Sequence, residues 1–201
     1  MTLVFHDQSQ DITQNIHHLN KRIEYLHTSD CPVHAGPLIR RESEYKDLHL
    51  LERKRIFNTL YFFTKAIDIK YYSLIVEKKQ LIEEIDLNVQ ITKQLSAFLF
   101  NNFELFNHFD RIVIYYDFGQ MELTKILVSV FNTIFSSVEF KKAIPADYKL
   151  FQAADMLCTL ELLTLKADRK MLSKSELAFF TSARNLNKSY LDAIHKKKIK
   201  K

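Results

Sequence analysis

The spacing of apolar positions changes several times along the chain, and each change marks an element. Thr2–Phe5 is a short apolar stretch stopped by His6-Asp7-Gln8-Ser9, which predicts a strand. Ile12, Ile16, Leu19, Ile23 and Leu26 then recur at helical spacing, with Asp11 and Gln14 resembling a capping box, so a helix is predicted to about His27. Thr28–Arg41 carries Pro32, Gly36 and Pro37 and is predicted to be the main loop. A short helix from Glu42 to about His49 precedes a stronger one from Leu51 to Ile67, with Ile56, Leu60, Phe63 and Ile67 on its apolar face. Ile69–Glu77 predicts a second strand, closed by Lys78-Lys79. The longest helix is predicted from Leu81 to about Phe106.

Next comes a different pattern. Ile112–Tyr116 is apolar without alternation, which predicts a strand covered on both faces inside an α/β sheet. Asp117 follows at its carboxyl end, where open α/β sheets gather ligands. A helix over Met121–Phe135 leads to Val138–Lys142, a short alternating strand whose lysines suit a sheet edge. Asp147 is a plausible cap for a helix to about Lys166, and Ser173 with Glu176 forms a capping box for another. A last helix from Tyr190 runs into the basic stretch Lys196–Lys201. This order predicts a single α/β domain over residues 1–201, with a core at about 1–168 and a helical appendage with a basic tail at about 169–201.

Composition narrows the classes. A chain of 201 residues with 47% hydrophobic residues has material for a proper core. Two glycines and three prolines favour long helices over a glycine-rich barrel. Cys31 and Cys158 lack C-x-x-C spacing, and no signal peptide is evident, so free thiols in the cytoplasm are expected. No apolar run approaches a membrane span. The net charge of +5 permits a polyanionic partner. No P-loop, dinucleotide fingerprint, H-E-x-x-H or G-x-S-x-G motif occurs.

The candidate chemistry centres on two acids. Asp155 lies in an apolar helical run and needs a partner, a proton or a metal. If Asp117 and Asp155 converge, they offer the oxygen ligands that Mg²⁺ or Mn²⁺ wants, and such a metal pair can cleave a phosphodiester. Gln152, one turn before Asp155, is placed to orient the carboxylate or a water. His34 is a candidate ligand or substrate contact, or a solvated loop histidine. Arg40, Arg41 and Lys78 are candidate phosphate contacts, or solvated charges at element ends. Lys196, Lys197 and Lys198 form either an electrostatic arm for nucleic acid or a frayed tail. Asp7, at a strand end, reads more simply as a loop residue than as a catalytic acid.

Tyr115-Tyr116-Asp117-x-Gly119-Gln120 and Asp147-Tyr148-x-x-x-Gln152-x-Ala154-Asp155 together resemble the domain-of-unknown-function 3800 family of bacteria and phages. The resemblance covers nearly the whole chain, including His34-Ala-Gly-Pro37, Glu77-Lys78 and Leu172–Glu176. It implies an RNase H-like mixed sheet flanked by helices and metal-dependent nuclease activity. Asp117 and Asp155 match the family's second and last acids, and Gln152 its glutamine before Ala-Asp. One departure matters. The family opens with a central strand ending in Asp-Glu-Ser-Gly, which supplies the first acid. Met1–Phe5 resembles instead the family's second strand, and Asp7-Gln-Ser9 precedes a helix as that strand does. The expectation is therefore a metal-dependent nuclease, or a copy of one crippled by the lost strand, with unpaired strand edges that favour a homodimer. The alternatives are a non-catalytic nucleic-acid-binding or interaction module and, more weakly, a small-molecule phosphohydrolase.

Overall fold

The computed structural model describes residues 1–26, 32–77, 84–117 and 121–199. It is a mixed α/β chain that divides into two compact units. One is built from Met1–Ser73 and Tyr148–Lys200, the other from Leu74–Asp147 with Lys201. Among the described residues the strands form two separate two-stranded sheets, one in each unit.

The first unit begins with β1 (Thr2–Phe5), followed by α1 (Thr13–Tyr25), α2 (Ala35–Arg40), a 3₁₀ turn at Ser43–Tyr45, α3 (Leu50–Ala66) and β2 (Lys70–Ser73). β1 and β2 are antiparallel, with Thr2 opposite Ser73 and Val4 opposite Tyr71. Tyr71 donates its N–H to the Lys197 carbonyl at 3.1 Å and accepts from the Ile199 N–H at 2.9 Å. Both of its backbone groups thus point away from β1. Alternation along an antiparallel pair then sends the N–H and C=O of Val4, and likewise of Thr2, to the outer edge of β1.

The second unit holds α4 (Glu84–Asn101), α5 (Phe103–Asn107), β3 (Ile112–Tyr116), α6 (Met121–Ile134) and β4 (Val138–Lys142). Here β3 and β4 are parallel, joined through α6 as a parallel pair requires. Buried Leu95, Leu99, Phe98 and Phe106 make its core. Phe103 stacks on Phe135 with ring centroids 5.6 Å apart.

The chain then returns to the first unit with α7 (Lys149–Asp168), α8 (Lys174–Phe180), α9 (Ala183–Leu186), a π-helical turn at Asn187–Leu191 and α10 (Asp192–His195). α7 packs on β1, α2 and α3. Its buried residues Ala153, Met156, Leu157, Leu160 and Leu163 join Phe57, Tyr61, Phe179, Phe180, Leu186 and Ile194 in one apolar cluster. The residues expected to form an appendage after 168 therefore supply part of this core. Phe57 alone meets Phe179, Phe180 and Tyr190 edge to face.

Several expected boundaries move, each for a local reason. The expected loop contains α2, because Pro37 falls in the first helical turn, where a missing N–H costs nothing. The short helix expected over Glu42–His49 shrinks to the 3₁₀ turn, since Arg41 and Ser43 adopt positive φ of 63° and 55°. The helix expected to reach Phe106 breaks at Asn102, whose side-chain amide donates to the Phe98 carbonyl at 2.8 Å. Strand β2 stops at Ser73, four residues short of Glu77. Asp11 accepts from the Thr13 N–H in place of a capping box, and Tyr148, not Asp147, occupies the N-cap of α7. The Ser173–Glu176 capping box forms as read. β3 is partly buried on both faces, short of the full cover expected.

The basic tail is not frayed through Ile199. It pairs with β2 at Tyr71, and the Lys197 ammonium donates to the Ile67 carbonyl at 2.7 Å. Lys198 forms an ion pair with Glu161, a carboxylate only 5% exposed in α7. The Tyr71 hydroxyl also donates to Glu161 at 2.7 Å, and His195 Nε2 lies 3.5 Å from it. Burial, followed by this bond to a carboxylate, pushes the Tyr71 phenol well above its usual range. Truncating Lys198 to Met should thus cost about 2 kcal/mol in urea denaturation. That is less than a fully buried pair, because Lys198 keeps 34% exposure. Lys196→Met, at an exposed position, should stay within about 0.5 kcal/mol of wild type.

Candidate functional site

The first unit brings together three of the residues singled out in the sequence. Asp155 projects from the second turn of α7 toward the start of α2. Its Oδ2 accepts from the Ala35 backbone N–H at 2.8 Å. Its Oδ1 lies 4.0 Å from His34 Nδ1, and the two side chains stay 37% and 49% exposed. One carboxylate oxygen is thus fixed by the fold while the other faces an imidazole and solvent. Gln152 sits one turn earlier on α7 and is buried.

The segment carrying His34 is held from two further sides. The buried Tyr45 hydroxyl accepts from the His34 N–H at 3.2 Å. Burial chiefly, with the nearby charges of Glu44 and Asp155, drives the Tyr45 phenol well above its ordinary range, against the His34 bond that lowers it. The Tyr45 hydroxyl therefore keeps its proton and acts as a fixed dipole. From α3, the guanidinium of buried Arg53 donates to the carbonyls of Leu38 and Ile39 at 2.5 and 3.1 Å, satisfying the end of α2. Burial, and then Arg41, lower the Arg53 pKa. Tyr45 and Arg53 escape motif-based reading, because their roles arise only from packing.

The other candidates are placed differently. Asp117 follows β3 at its carboxyl end in the second unit and is exposed. Arg40 directs its Nε to both oxygens of Glu42 at 2.9 Å, and Arg41 Nε donates to the Lys46 carbonyl at 2.7 Å. The phosphate-binding candidates are thus partly engaged within their own loop. A Cβ at Gly36 would meet the Arg40 guanidinium at 3.1 Å, so a larger residue there would shift that side chain by a few tenths of an ångström. Lys197 and Lys198 serve the tail contacts described above, which leaves Lys196 exposed. Lys78, Gly119, Gln120 and Cys31 lie outside the described residues. Cys158 is exposed with a free thiol. Asp7 accepts from the Ser9 N–H in a simple turn.

Among the described residues, no group of three or more His, Cys, Asp or Glu side chains is clustered for a metal ion. The donors around Asp155 are a carboxylate oxygen, an imidazole and a nearby amide. That set suits a hard divalent cation through the carboxylate, with water filling further positions. Among the described residues, no helix is long and apolar enough to cross a membrane. Comparison of the chain with protein-family models, curated proteins and solved structures finds no match.

The two oxygens of Asp155 do different things, and that is testable. Asp155→Asn keeps an acceptor for the Ala35 N–H and should melt close to wild type. Asp155→Leu leaves the N–H of fully buried Ala35 unpaired and should lose about 1–3 kcal/mol. Equal melting of the two variants would show that the contact does not hold α2.

Proposed function

We propose that the chain is a metal-dependent nuclease of RNase H-like plan, related to the domain-of-unknown-function 3800 family. In this proposal Asp117 and Asp155 supply carboxylate oxygens to Mg²⁺ or Mn²⁺. Gln152 and His34 orient the ligands or the attacking water. The observation that carries it is the Asp155 carboxylate, which is anchored through one oxygen while its side chain stays 37% exposed. A structural acid in an apolar helix closes both oxygens on partners, as Glu161 does with Tyr71 and Lys198. Asp155 does not, and a half-satisfied, oriented carboxylate is what a cation requires.

The strand pairs support the fold part of the proposal. An antiparallel pair and a parallel pair both occur in an RNase H-like mixed sheet. The outward-facing backbone of Thr2 and Val4 supplies an edge on which a strand of a second copy can add. When bound, the metal pair would activate a water and stabilise the leaving oxygen. The protein's part is to hold the carboxylates and to position the water through Gln152 and His34.

A second reading is a non-catalytic nucleic-acid-binding or interaction module. The net charge of +5 favours it. One assay separates the two. Labelled DNA and RNA are incubated with the purified protein and Mg²⁺ or Mn²⁺, for wild type, Asp117→Ala, Asp155→Asn and Gln152→Ala. The nuclease proposal predicts cleavage that falls to background in both aspartate variants and by about 10–100-fold in Gln152→Ala. Cleavage that survives both aspartate changes sinks the assignment, and binding without cleavage selects the second reading.

A further inference from the structure

In the first unit α1 and α3 pack side by side, and the channel along their outer surface encloses about 650 Å³. Its walls are two stripes of identical spacing. His18, Lys21, Arg22 and Tyr25 line it from α1, and Arg55, Asn58, Thr59 and Phe62 from α3. Each set follows the i, i+3, i+4, i+7 pattern of a single helix face, so both faces look into one groove.

The lining has a definite chemistry. Lys21, Arg22 and Arg55 are permanent cations, and among the described residues no carboxylate lines the groove. None of the three makes an ion pair among the described residues, and Glu24 and Glu52, the acids of α1 and α3, lie outside the lining. Elsewhere exposed cations do find acids, as Arg40 finds Glu42 and Lys125 finds Glu122. At the last position of each stripe stands an aromatic ring left in solvent, Tyr25 at 89% exposure and Phe62 at 59%. The Asn58 carbonyl oxygen accepts from the Tyr190 hydroxyl at 3.0 Å, which leaves its NH₂ as a fixed donor beside the cations.

We infer that this groove binds single-stranded nucleic acid. The cations meet the backbone phosphates, and Tyr25 and Phe62 stack against unpaired bases. A duplex hides its base faces and leaves the rings unused, whereas a single strand uses both features together. An anionic membrane also attracts basic and aromatic residues, but it prefers a convex apolar face, and this surface is concave with Asn58 and Thr59 between its charges. The stripe on α1 runs about 10 Å along the helix axis, which suits a length of strand more than one isolated phosphate. The groove shares no residue with the Asp155 site, so its failure and failure of the nuclease proposal are separate results.

The test is fluorescence anisotropy of a short labelled oligothymidylate with the full chain in EDTA, across a salt series. Wild type should bind at low salt and bind a duplex of equal length more weakly. Arg22→Glu with Arg55→Glu should weaken binding by on the order of tenfold or more and flatten the dependence of log K on log salt. Tyr25→Ala with Phe62→Ala should weaken it by about tenfold and leave the salt slope unchanged. Lys174→Glu, an exposed charge on α8 outside the groove, should change little. The four groove residues are exposed, and circular dichroism melts of the variants should match wild type. Several results overturn the inference: no binding at low salt, equal affinity for duplex, or an equal loss in Lys174→Glu. Retention of wild-type affinity by both double variants does so too, as does binding to anionic vesicles with none to oligothymidylate.

Discussion

The first unit closes around one buried negative charge. Glu161 sits in the middle of α7 among leucines, where an unpaired carboxylate would be costly. It is tolerated because three groups from distant parts of the chain reach it: the Tyr71 hydroxyl from β2, the Lys198 ammonium from the chain's end and the His195 imidazole. Each partner is itself tied to backbone structure. Tyr71 belongs to β2 and also pairs with the segment around Lys198, so one charge fixes a strand, a helix and a tail together. The apolar cluster supplies the bulk of the burial, but Glu161 selects which segments meet.

α7 thereby carries two acids with opposite fates. Glu161 is saturated and structural. Asp155, nearly two turns earlier, spends one oxygen on Ala35 and leaves the other beside His34 and solvent. The difference comes from what packs opposite. Glu161 faces a strand and a basic tail, whereas Asp155 faces the first turn of a short helix, which can offer backbone N–H but no cation. Tyr45 holds the start of that helix and Arg53 its end, neither touching Asp155 by hydrogen bond.

Periodicity made most of the elements readable. α1, α3, α6, β3 and β4 fall within a few residues of where apolar spacing puts them. What was not readable depended on partners distant in sequence. Nothing local in Lys196–Lys198 says that the segment lies against β2, so a tail of lysines looks solvated until Glu161 is seen opposite it. Glu161 offered the same signal as Asp155, an acid within an apolar run, and only tertiary packing tells the two apart. The stretch over Ala35–Arg40 looked like a loop because glycine and proline usually break helices, a rule that relaxes in a first turn. Of the site, the likeness of Asp155, Gln152 and His34 to a motif was visible, but the clamp made by Tyr45 and Arg53 was not.

The way the chain threads its two units also sets an order in time. Leu74–Asp147 lies within the other unit's sequence, and its parallel strands are joined by the single helix α6. Its contacts are closed by neighbours in sequence, so this segment has all its parts soon after synthesis passes Asp147. The surrounding unit must wait. Its strand β2 has no partner on one side, and Glu161 has no ammonium, until residues 197–199 have been made. During that wait Met1–Ser73 holds an apolar surface that α7 has yet to cover. Such an interval of exposed surface is when a newly made chain depends most on chaperones. The inserted segment lengthens it by the time needed to translate its own residues.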